Sequence, residues 1–485
     1  MRAHGCPGEP GRNSKTAANS PEIRKRIREK IGETTRPELA MISAMAVAAR
    51  VPKSLRVLVS EGNSTSAREA ITILGLSGHR VEVCDPSRVC LARFSRFVRR
   101  FHRCPGLRQD PAGFLGFVEK LLAAQHFDVL LPAHEQGFLF ARVGERLSGR
   151  SGIALPGFES YRIAHNKAGF SRLLDQLRLP QPPTQIVTSE TELRAAVRFP
   201  SVVKTAVGTA SRGIWFVRSA DDLEAAMRDL RAPGLSGQGL GVQGLGANRT
   251  FADEVLVQDF VGGITGKAQA VFCRGELLGF HGYRQIAAGA GGGEAIKQSE
   301  SRADVRAHVA AIGEHLGWHG ALSVDYVLAD AATPLLIDCN PRLVEPMSAY
   351  LAGVDLVGLL LAISQGETPE ASQRSRDGVR THLAIQALLG CASRGGGRRR
   401  IARECWQLAA RRGAYAGSTE ELTPLRLDWI SLVPLAMIAL ALLLQPRWGA
   451  TLANKGWGAH LLDLDTIAII ARDDFPDGDF PDKTS

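Results

Sequence analysis

The sequence predicts an α/β protein in which a Rossmann-like parallel sheet comes first, a larger α+β region follows, and a mainly helical part ends the chain. Three observations support this order. Residues 55–84 read as strand, helix and strand, which implies a parallel pair with a right-handed crossover. Short apolar strands separated by glycine-rich turns recur between residues 199 and 340. An uncharged stretch of sixteen residues, 429–444, then follows in place of further strand patterns.

Composition and charge indicate a globular protein and argue against some functional classes. The 485 residues suit two to four domains, and 45% hydrophobic with 22% charged residues is ordinary for a globular protein. The net charge of +10 is concentrated in residues 1–54 and in residues 374–412, where ten arginines face two acidic residues. Because residues 55–373 are nearly neutral, the charge pattern argues against a nucleic-acid-binding core. Eight scattered cysteines without a Cys-x-x-Cys pair predict reduced thiols in the cytoplasm rather than a zinc site.

The N-terminal part divides into a tail and a small α/β domain. Residues 1–54 have no sustained apolar period and are expected to form a disordered basic tail. After the unit at 55–84, another buried strand is predicted at 127–132, with His134 and Glu135 just beyond it. Open α/β sheets bind ligands at this edge. No Gly-x-Gly-x-x-Gly motif follows the first strand, so a dinucleotide-binding fingerprint is absent.

A lysine near the end of a strand marks a candidate phosphate site. Residues 199–205 form a strand pattern that carries Lys204, and the small-residue loop 207–213 leads into a returning strand at 214–217. The ammonium group and the backbone amides of such a loop can bind nucleotide phosphates. The alternative is a solvent-facing lysine after a strand. Residues 232–248 are rich in glycine and are expected to form a mobile insertion.

A second candidate site lies on a predicted hairpin. Asp325 belongs to one apolar run, and Asp338 and Asn340 end the next. Residues two apart on a strand project from one face, and oxygen ligands on one face suit Mg²⁺. Arg342 follows directly and offers a fork of donors to a phosphate or acyl-phosphate oxygen. The alternative is an ordinary hairpin with polar ends.

Taken in order, these blocks resemble the ATP-grasp superfamily, specifically its carboxylate–amine ligases and carbamoyl-phosphate-synthase-like members. The similar motifs are the lysine strand with its glycine loop, Val255-Leu-Val-Gln-Asp-Phe-Val-Gly-Gly263, and Asp338-Cys-Asn-Pro-Arg342. The resemblance covers roughly residues 55–370. It implies a pre-ATP-grasp domain at 55–160, a two-lobed ATP-grasp α+β domain at 161–370, and an Arg-rich helical extension at 371–485.

The resemblance also implies cofactors and site residues. ATP phosphates would contact two lysines and the glycine loop. The backbone at one strand end would contact the edge of the adenine ring. Asp325, Asp338 and Asn340 would hold Mg²⁺, or Mn²⁺ in its place. Arg284 and Arg342 would bind the substrate carboxylate or the transferred phosphate. The residues implied for the nucleotide are Lys167, Lys204, Gly208, Ser211, Gly213, Gln258, Asp259, Phe260 and Val261.

The activity implied by the resemblance is ATP- and Mg²⁺-dependent ligation. A carboxylate would be activated as an acyl phosphate and attacked by an amine or similar nucleophile, forming a C–N bond more readily than a C–S bond. The expected partners are small carboxylates and amines, not nucleic acid. An alternative of another class is a nucleotide-binding scaffold with the same fold and reduced catalysis.

The sequence leaves open whether the extension at 371–485 contacts a membrane. Residues 429–444 are shorter than the ~20 apolar residues that a membrane span needs. A buried or interfacial helix is therefore expected in preference to a span. Because the preceding arginine-rich segment can attract anionic lipid, a cytoplasmic protein with peripheral membrane contact is one prediction, and a helical appendage packed on the ligase body is the other.

Overall fold

The computed structural model describes residues 53–208, 213–231, 254–329, 333–370, 373–455 and 461–475. Ser54 onward belongs to one compact unit. Three predicted features lie outside the described residues: the N-terminal tail apart from its last two residues, the glycine-rich stretch 232–248, and Ser211.

A four-stranded parallel sheet, in the order β3-β2-β1-β4, begins the fold. Val57 on the first strand pairs with Val81 on one side and Val129 on the other. The side chain of Ser64 accepts a hydrogen bond from the amide of Ala67 and so caps the first helix. The predicted strand–helix–strand start is confirmed. The elements are β1 (Arg56–Val59), α1 (Thr65–Leu76), β2 (Arg80–Asp85), β3 (Val98–Arg103), α2 (Pro111–Ala124), β4 (Val129–Leu131), α3 (Gln136–Arg142) and α4 (Gly144–Ser148).

Two helices lead into a small antiparallel sheet with the order β5-β8-β6-β7. Its inner face packs on helices through a core of its own that includes Leu193, Val203, Met227 and Val257. The separate core explains why this sheet forms a distinct lobe. The elements are α5 (Phe158–His165), α6 (Lys167–Gln176), β5 (Thr184–Val187), α7 (Glu190–Ala196), β6 (Ser201–Thr205), β7 (Ile214–Val217), α8 (Ala220–Arg231) and β8 (Val255–Asp259).

The largest layer is an eight-stranded sheet with the order β13-β12-β9-β10-β11-β15-β16, in which β14 pairs with β10. The predicted hairpin is its edge, and Asp325 is the direct cross-strand partner of Asp338. Long strands predominate because β9 and β10 alternate small and apolar residues on the face beneath a helix. The elements are β9 (Ile264–Cys273), β10 (Glu276–Ala288), β11 (Glu294–Ser299), α9 (Ala303–His315), β12 (Gly320–Leu328), β13 (Pro334–Asn340), α10 (Met347–Ala352) and α11 (Leu356–Ser364).

The C-terminal part is mainly helical, as predicted, but it also adds strands to the large sheet. Thr381 pairs with Lys297 of β11 and with Thr419. The strands were missed because each has three residues or fewer, too few to show an alternating pattern. The elements are β14 (Gln373–Arg374), β15 (Arg380–His382), α12 (Ala384–Ser393), α13 (Arg398–Ala410), β16 (Ser418–Glu420), α14 (Leu432–Leu444), α15 (Trp448–Lys455) and α16 (Leu464–Ile470).

Buried polar contacts tie this C-terminal part to the first domain. Arg68 donates to Asp428 at 2.8 Å, and both side chains are inaccessible to solvent. Asp428 also accepts from the hydroxyl of Ser95 and the amide of Arg96. A buried ion pair holds when such additional hydrogen bonds satisfy its oxygens. Within the part of the chain that the structure describes, no helix has both the length and the apolar character to cross a membrane.

Candidate functional site

Lys167 lies where α6 begins, against the two sheets. Asn166 caps this helix by accepting from the amide of Gly169 at 2.8 Å, and the Lys167 amide donates to the carbonyl of Ala206 at 2.8 Å. The buried Lys167 ammonium group is 2.9 and 3.1 Å from the two carboxylate oxygens of Asp338. Burial alone would raise the pKa of Asp338, but the ammonium groups of Lys167 and Lys204 outweigh it and hold that pKa below its usual value.

Lys204 lies in the central part of the small sheet and points toward the large one. Its ammonium group donates to the side-chain oxygen of Gln258 at 2.8 Å and to the carbonyl of Ile337 at 2.9 Å. Burial lowers the pKa of Lys204 to about 8, although the carboxylates of Asp338 and Asp325 oppose the shift. Two lysines from different elements therefore lie near one carboxylate.

The predicted phosphate-covering loop is described at its two ends. Gly208 lies beside Lys167 in a cleft. Gly213 has φ +71°, and a Cβ atom there would come within 2.1 Å of the Thr205 hydroxyl oxygen, so a side chain cannot fit. Its carbonyl accepts from the Thr205 amide at 2.9 Å. Both ends of the loop therefore lie beside the strand that carries Lys204.

The segment 258–261, predicted to read the adenine edge, begins inside the small sheet. Gln258 pairs with β5 on one side and β6 on the other, and Asp259 pairs with Ser201 of β6. The amides of Asp259 and Phe260 donate to the carbonyls of Pro183 and Pro200, so both are engaged within the protein. The half-buried Val261 follows the strand end.

Two exposed aromatic rings flank this strand end. Phe260 stands edge-on to Phe216 with ring centroids 6.0 Å apart. Both rings remain exposed, which is unusual for large apolar side chains outside a binding surface. Phe216 was not predicted from the sequence to belong to the site. A flat apolar ligand can pack on such a pair.

Asp325, Asp338 and Asn340 occupy one face of the hairpin. Asp325 faces Asp338 across the two strands. Asn340, two residues after Asp338 on the same strand, faces Ser323. Burial raises the pKa of Asp325 to about 6; the nearby carboxylate of Asp338 adds to this shift and the Lys267 ammonium group opposes it. The Asp325 Oδ1 atom has no hydrogen bond, although Lys267 Nζ lies 3.3 Å away.

This arrangement fits a divalent cation. Two facing carboxylates offer oxygen ligands to a cation, and an amide oxygen is a third suitable ligand. Mg²⁺ commonly takes few protein ligands and completes its shell with water or phosphate oxygens. Among the residues that the structure describes, no group of three or more histidine, cysteine or carboxylate side chains is arranged to hold a metal. The donor set is therefore two carboxylates and one amide.

Arg342 lies beside this set. Its side chain reaches the amide oxygen of Asn340 at 3.3 Å, and its carbonyl accepts from Ser323. Arg342 lines a cleft together with Lys167, His165 and Glu135. The cleft lies between the first sheet and the edge of the large sheet. Glu135 was noted from its position after β4, whereas His165 had no distinguishing sequence signal.

Arg284 is the predicted site residue that the structure does not bring to this cluster. It is the cross-strand partner of Gly266, whereas its neighbour Tyr283 partners Lys267. Cross-strand partners share a face, so Arg284 lies on the opposite side of the sheet from Lys267 and Asp325. Its guanidinium group is instead 3.9 Å from the carboxylate of Glu300. The position of Arg284 in the sequence, between two of the motifs, did not show which face of the sheet its side chain occupies.

Lys267 and Lys297 are the cationic residues on the site face that the sequence analysis missed. Lys267 lies between Asp325 at 3.3 Å and Glu294 at 3.5 Å. Despite burial, these carboxylates raise the pKa of Lys267 above its ordinary value. Strand alternation could have flagged Lys267 as inward-facing only if the pairing of β9 with β12 had been known.

Lys297 occupies the centre of a fully buried cluster. Its ammonium group is 2.5 Å from Glu345 and 2.7 Å from Glu421, and it lies over the ring of Tyr283. Glu69 approaches from α1, and burial together with Glu421 raises its pKa. Burial likewise raises the pKa of Glu421 to about 7. Three carboxylates thus surround one ammonium group, so a proton is retained among them near neutral pH.

Comparison with known proteins supports the fold. No family model matches the chain. Formate-dependent phosphoribosylglycinamide formyltransferase of Oleidesulfovibrio alaskensis is 30% identical over 126 residues, which cover 25% of this chain and 32% of that protein. The chain thus spans about a third of the length of this curated relative.

Three solved structures are similar over most of the chain. The biotin carboxylase domain of Hydrogenobacter thermophilus 2-oxoglutarate carboxylase, in complex with MgADP, ADP and bicarbonate, has a TM-score of 0.53 at 14% identity, covering 68% of this chain and 74% of that one. An ADP complex of N5-carboxyaminoimidazole ribonucleotide synthetase has a TM-score of 0.53 at 14% identity, with 74% and 88% covered. L-amino acid ligase from Bacillus licheniformis has a TM-score of 0.51 at 16% identity, with 68% and 80% covered.

At these identities the similarity establishes the fold. The chain has the ATP-grasp fold: a parallel α/β domain followed by a small and a large sheet that meet at the lysine and carboxylate cluster. The resemblance predicted from the order of the motifs is confirmed at this level.

Proposed function

We propose that this protein is an ATP- and Mg²⁺-dependent ligase that activates a carboxylate as an acyl phosphate for attack by an amine. One observation carries the proposal: Lys167 and Lys204, from separate elements, converge on Asp338, whose cross-strand partner is Asp325. Buried lysines beside paired carboxylates match the needs of phosphoryl transfer, in which positioning and charge neutralisation supply most of the rate.

The nucleotide would lie between the small and large sheets. Lys167 and Lys204 would bind its phosphates, with the loop from Gly208 to Gly213, including Ser211, covering them. The base would lie at the strand end formed by Gln258, Asp259, Phe260 and Val261, beside the exposed ring of Phe216. Displacing the Lys167–Asp338 ion pair by phosphate and metal would exchange one set of charge contacts for another.

Asp325, Asp338 and Asn340 would hold Mg²⁺, or Mn²⁺ in its place. When bound, the ion neutralises phosphate charge and orients the transferred group. Arg342 would hold the transferred phosphate or the acyl phosphate with its fork of donors. Arg284 is not given this role, since it lies on the opposite face of the sheet.

The acid and the amine would enter through the cleft lined by Lys167, Arg342, His165 and Glu135. The biotin carboxylase complex named above contains bicarbonate, and another similar structure is an L-amino acid ligase, so small carboxylates are the substrate class to test first. An acyl phosphate reacts with amines more readily than the free acid does, and the buried walls of the cleft would keep water from it. The product would carry a new C–N bond, in preference to C–S.

The test is release of ADP across a panel of amino acids and small carboxylic acids, with hydroxylamine present to trap any acyl phosphate as a hydroxamate. We expect ADP and hydroxamate to form in equal amounts for the correct acid, and neither to form with Asp338→Asn. MgATP binding without ADP release for any acid, with and without added amines, would favour the scaffold alternative.

A further inference from the structure

Helix α14 presents an apolar face to solvent. Val433, Met437, Leu440 and Leu444 recur at the helical spacing of four, three and four residues, and each is between 40% and 60% exposed. The opposite face is packed: Leu442 is buried in a core with residues of α12 and α13. The helix is therefore anchored along one side, and the exposed side is as apolar as the buried one.

Two exposed tryptophans stand next to the ends of the helix in the chain. Trp429 precedes α14 and is 69% exposed, and Trp448 begins α15 and is half exposed. Indole rings combine a large apolar area with a polar N–H group and suit a boundary between water and hydrocarbon. We call the four stripe residues together with these two tryptophans the α14 face. Clustered exposure of this kind marks an interaction site rather than scattered surface residues.

The segment that carries the α14 face has an excess of basic residues. Residues 393–455 contain nine arginines and one lysine but four acidic residues. All four acids are engaged within the protein: Glu404 with Tyr415, Glu420 with Ala384 and Thr423, Glu421 with Lys297, and Asp428 with Arg68. The basic side chains are therefore not neutralised by the acids of the same segment.

Arginines stand close to the apolar stripe. Arg398 donates to the carbonyls of Leu443 and Leu444 at 2.9 and 2.7 Å, which places its guanidinium group at the C-terminal end of α14. Arg399 and Arg400 follow it on α13 and are exposed. An apolar stripe beside arginines is the pattern of helices that lie in the plane of an anionic membrane surface.

We propose that the α14 face docks on the surface of an anionic lipid bilayer, with the helix lying in the interface. A span is excluded by length, because thirteen residues extend ~20 Å against a hydrocarbon core of ~30 Å. A second copy of this chain is a poorer occupant, since a self-paired face would bring two sets of arginines together. Anionic lipid headgroups would pair with the arginines, and the lipid acyl chains would pack on the apolar stripe.

The experiment is sedimentation of the full-length chain with vesicles of phosphatidylcholine, with and without phosphatidylglycerol, at low and high salt. We expect binding to the anionic vesicles at low salt, weaker binding at high salt, and little with phosphatidylcholine alone. Met437→Asp with Leu440→Asp should lower the bound fraction about tenfold or more, because it places carboxylates on the apolar face. Both positions are exposed, so folding should be unaffected.

Two controls separate this face from other basic segments. Ala195→Asp with Ala307→Asp adds the same charges at exposed helical positions elsewhere and should retain at least half of the binding. Arg399→Glu with Arg400→Glu should weaken binding, whereas Arg228→Glu with Arg306→Glu should not. Equal sedimentation of the α14 variant and the wild type would overturn the proposal, because binding would then come from another segment. Failure to sediment, combined with a dimer that the α14 variant abolishes, would assign the face to self-association instead.

Discussion

The ammonium group of Lys204 lies 2.8 Å from the side-chain oxygen of Gln258, on the neighbouring strand. The side-chain amide nitrogen of Gln258 in turn donates to the hydroxyl of Thr184 at 2.9 Å. This chain across three strands fixes both the rotamer of Gln258 and the direction of the lysine. Gln258 therefore holds the Lys204 ammonium group in place through its side chain, as a positioning residue.

Replacing Lys204 by alanine should weaken MgATP binding about 10- to 100-fold, because a charge-assisted contact contributes about 1.5–3 kcal/mol. Gln258→Leu should weaken it less, by about fivefold, since the lysine keeps its contact with the Ile337 carbonyl. Isothermal titration calorimetry measures both affinities, and Lys120→Ala on α2 is the control. Unchanged affinity in the Lys204 variant would remove this lysine from the site.

The affinity for MgATP should fall as the pH rises from 7.5 to 9.5. Burial places the pKa of Lys204 at about 8, so the free protein loses this charge in that range. Phosphate favours the charged form, and binding above pH 8 should therefore take up a proton. Calorimetry in buffers of different ionisation enthalpy measures the uptake. The proton uptake should be reduced in Lys204→Ala; an identical uptake would assign it to another group.

Asp338→Asn and Asn340→Ala should each reduce ADP formation about 100-fold or more, because each removes a proposed metal ligand. The Asp338 variant also leaves Lys167 without its counter-charge, so its melting temperature should fall as well. Circular dichroism would establish that both variants remain folded, and Asp221→Asn on α8 is the control. Near wild-type ADP formation at saturating substrate in either variant would contradict the metal assignment.

The melting temperature of the wild type should fall relative to that of Glu421→Gln as the pH rises from 5 to 8. The pKa of Glu421 is about 7 in the folded protein, against 4.5 ordinarily, because the carboxyl group is buried. The folded state thus holds a proton that the unfolded chain has lost, and this advantage disappears as the pH passes 7. The difference in melting temperature between Glu421→Gln and wild type should therefore change with pH in favour of the variant, whereas that between Glu145→Gln, on the surface, and wild type should not change. Parallel slopes for wild type and Glu421→Gln would contradict the assignment.

Truncation after Gln373 should give an insoluble or unfolded chain. The deletion removes β15 from the edge of β11, Glu421 from Lys297 and Asp428 from Arg68. Losing Asp428 leaves the buried Arg68 without its counter-charge, which costs about 3–5 kcal/mol. Expression and size-exclusion chromatography test this, with a chain ending at Phe475 as the control. A soluble, MgATP-binding protein ending at Gln373 would instead establish the last segment as a dispensable appendage.

Several local features were predictable from sequence because their causes are local. The strand alternation places Asp338 and Asn340 on one face, and the apolar run around Lys204 forms a strand. Each depends on residues within a few positions of one another. The order of such motifs also indicated the fold.

Other features depend on which strands become neighbours. Alternation separates Tyr283 from Arg284, but it cannot tell which of the two faces the site; the register with Lys267 decides that Tyr283 does. Lys297 and Glu421 are 124 positions apart, and no periodicity links them. The short strand β16 brings them together.

The sequence by itself thus predicted the longer strands and the candidate phosphate and metal ligands, because propensity and alternation act over a few residues. Only the tertiary structure decided that Lys267 and Lys297 belong to the site face, that Gln258 positions Lys204, and that one side of α14 stays exposed. These facts arise from the register between strands and from burial, which are set by contacts between residues far apart in the chain.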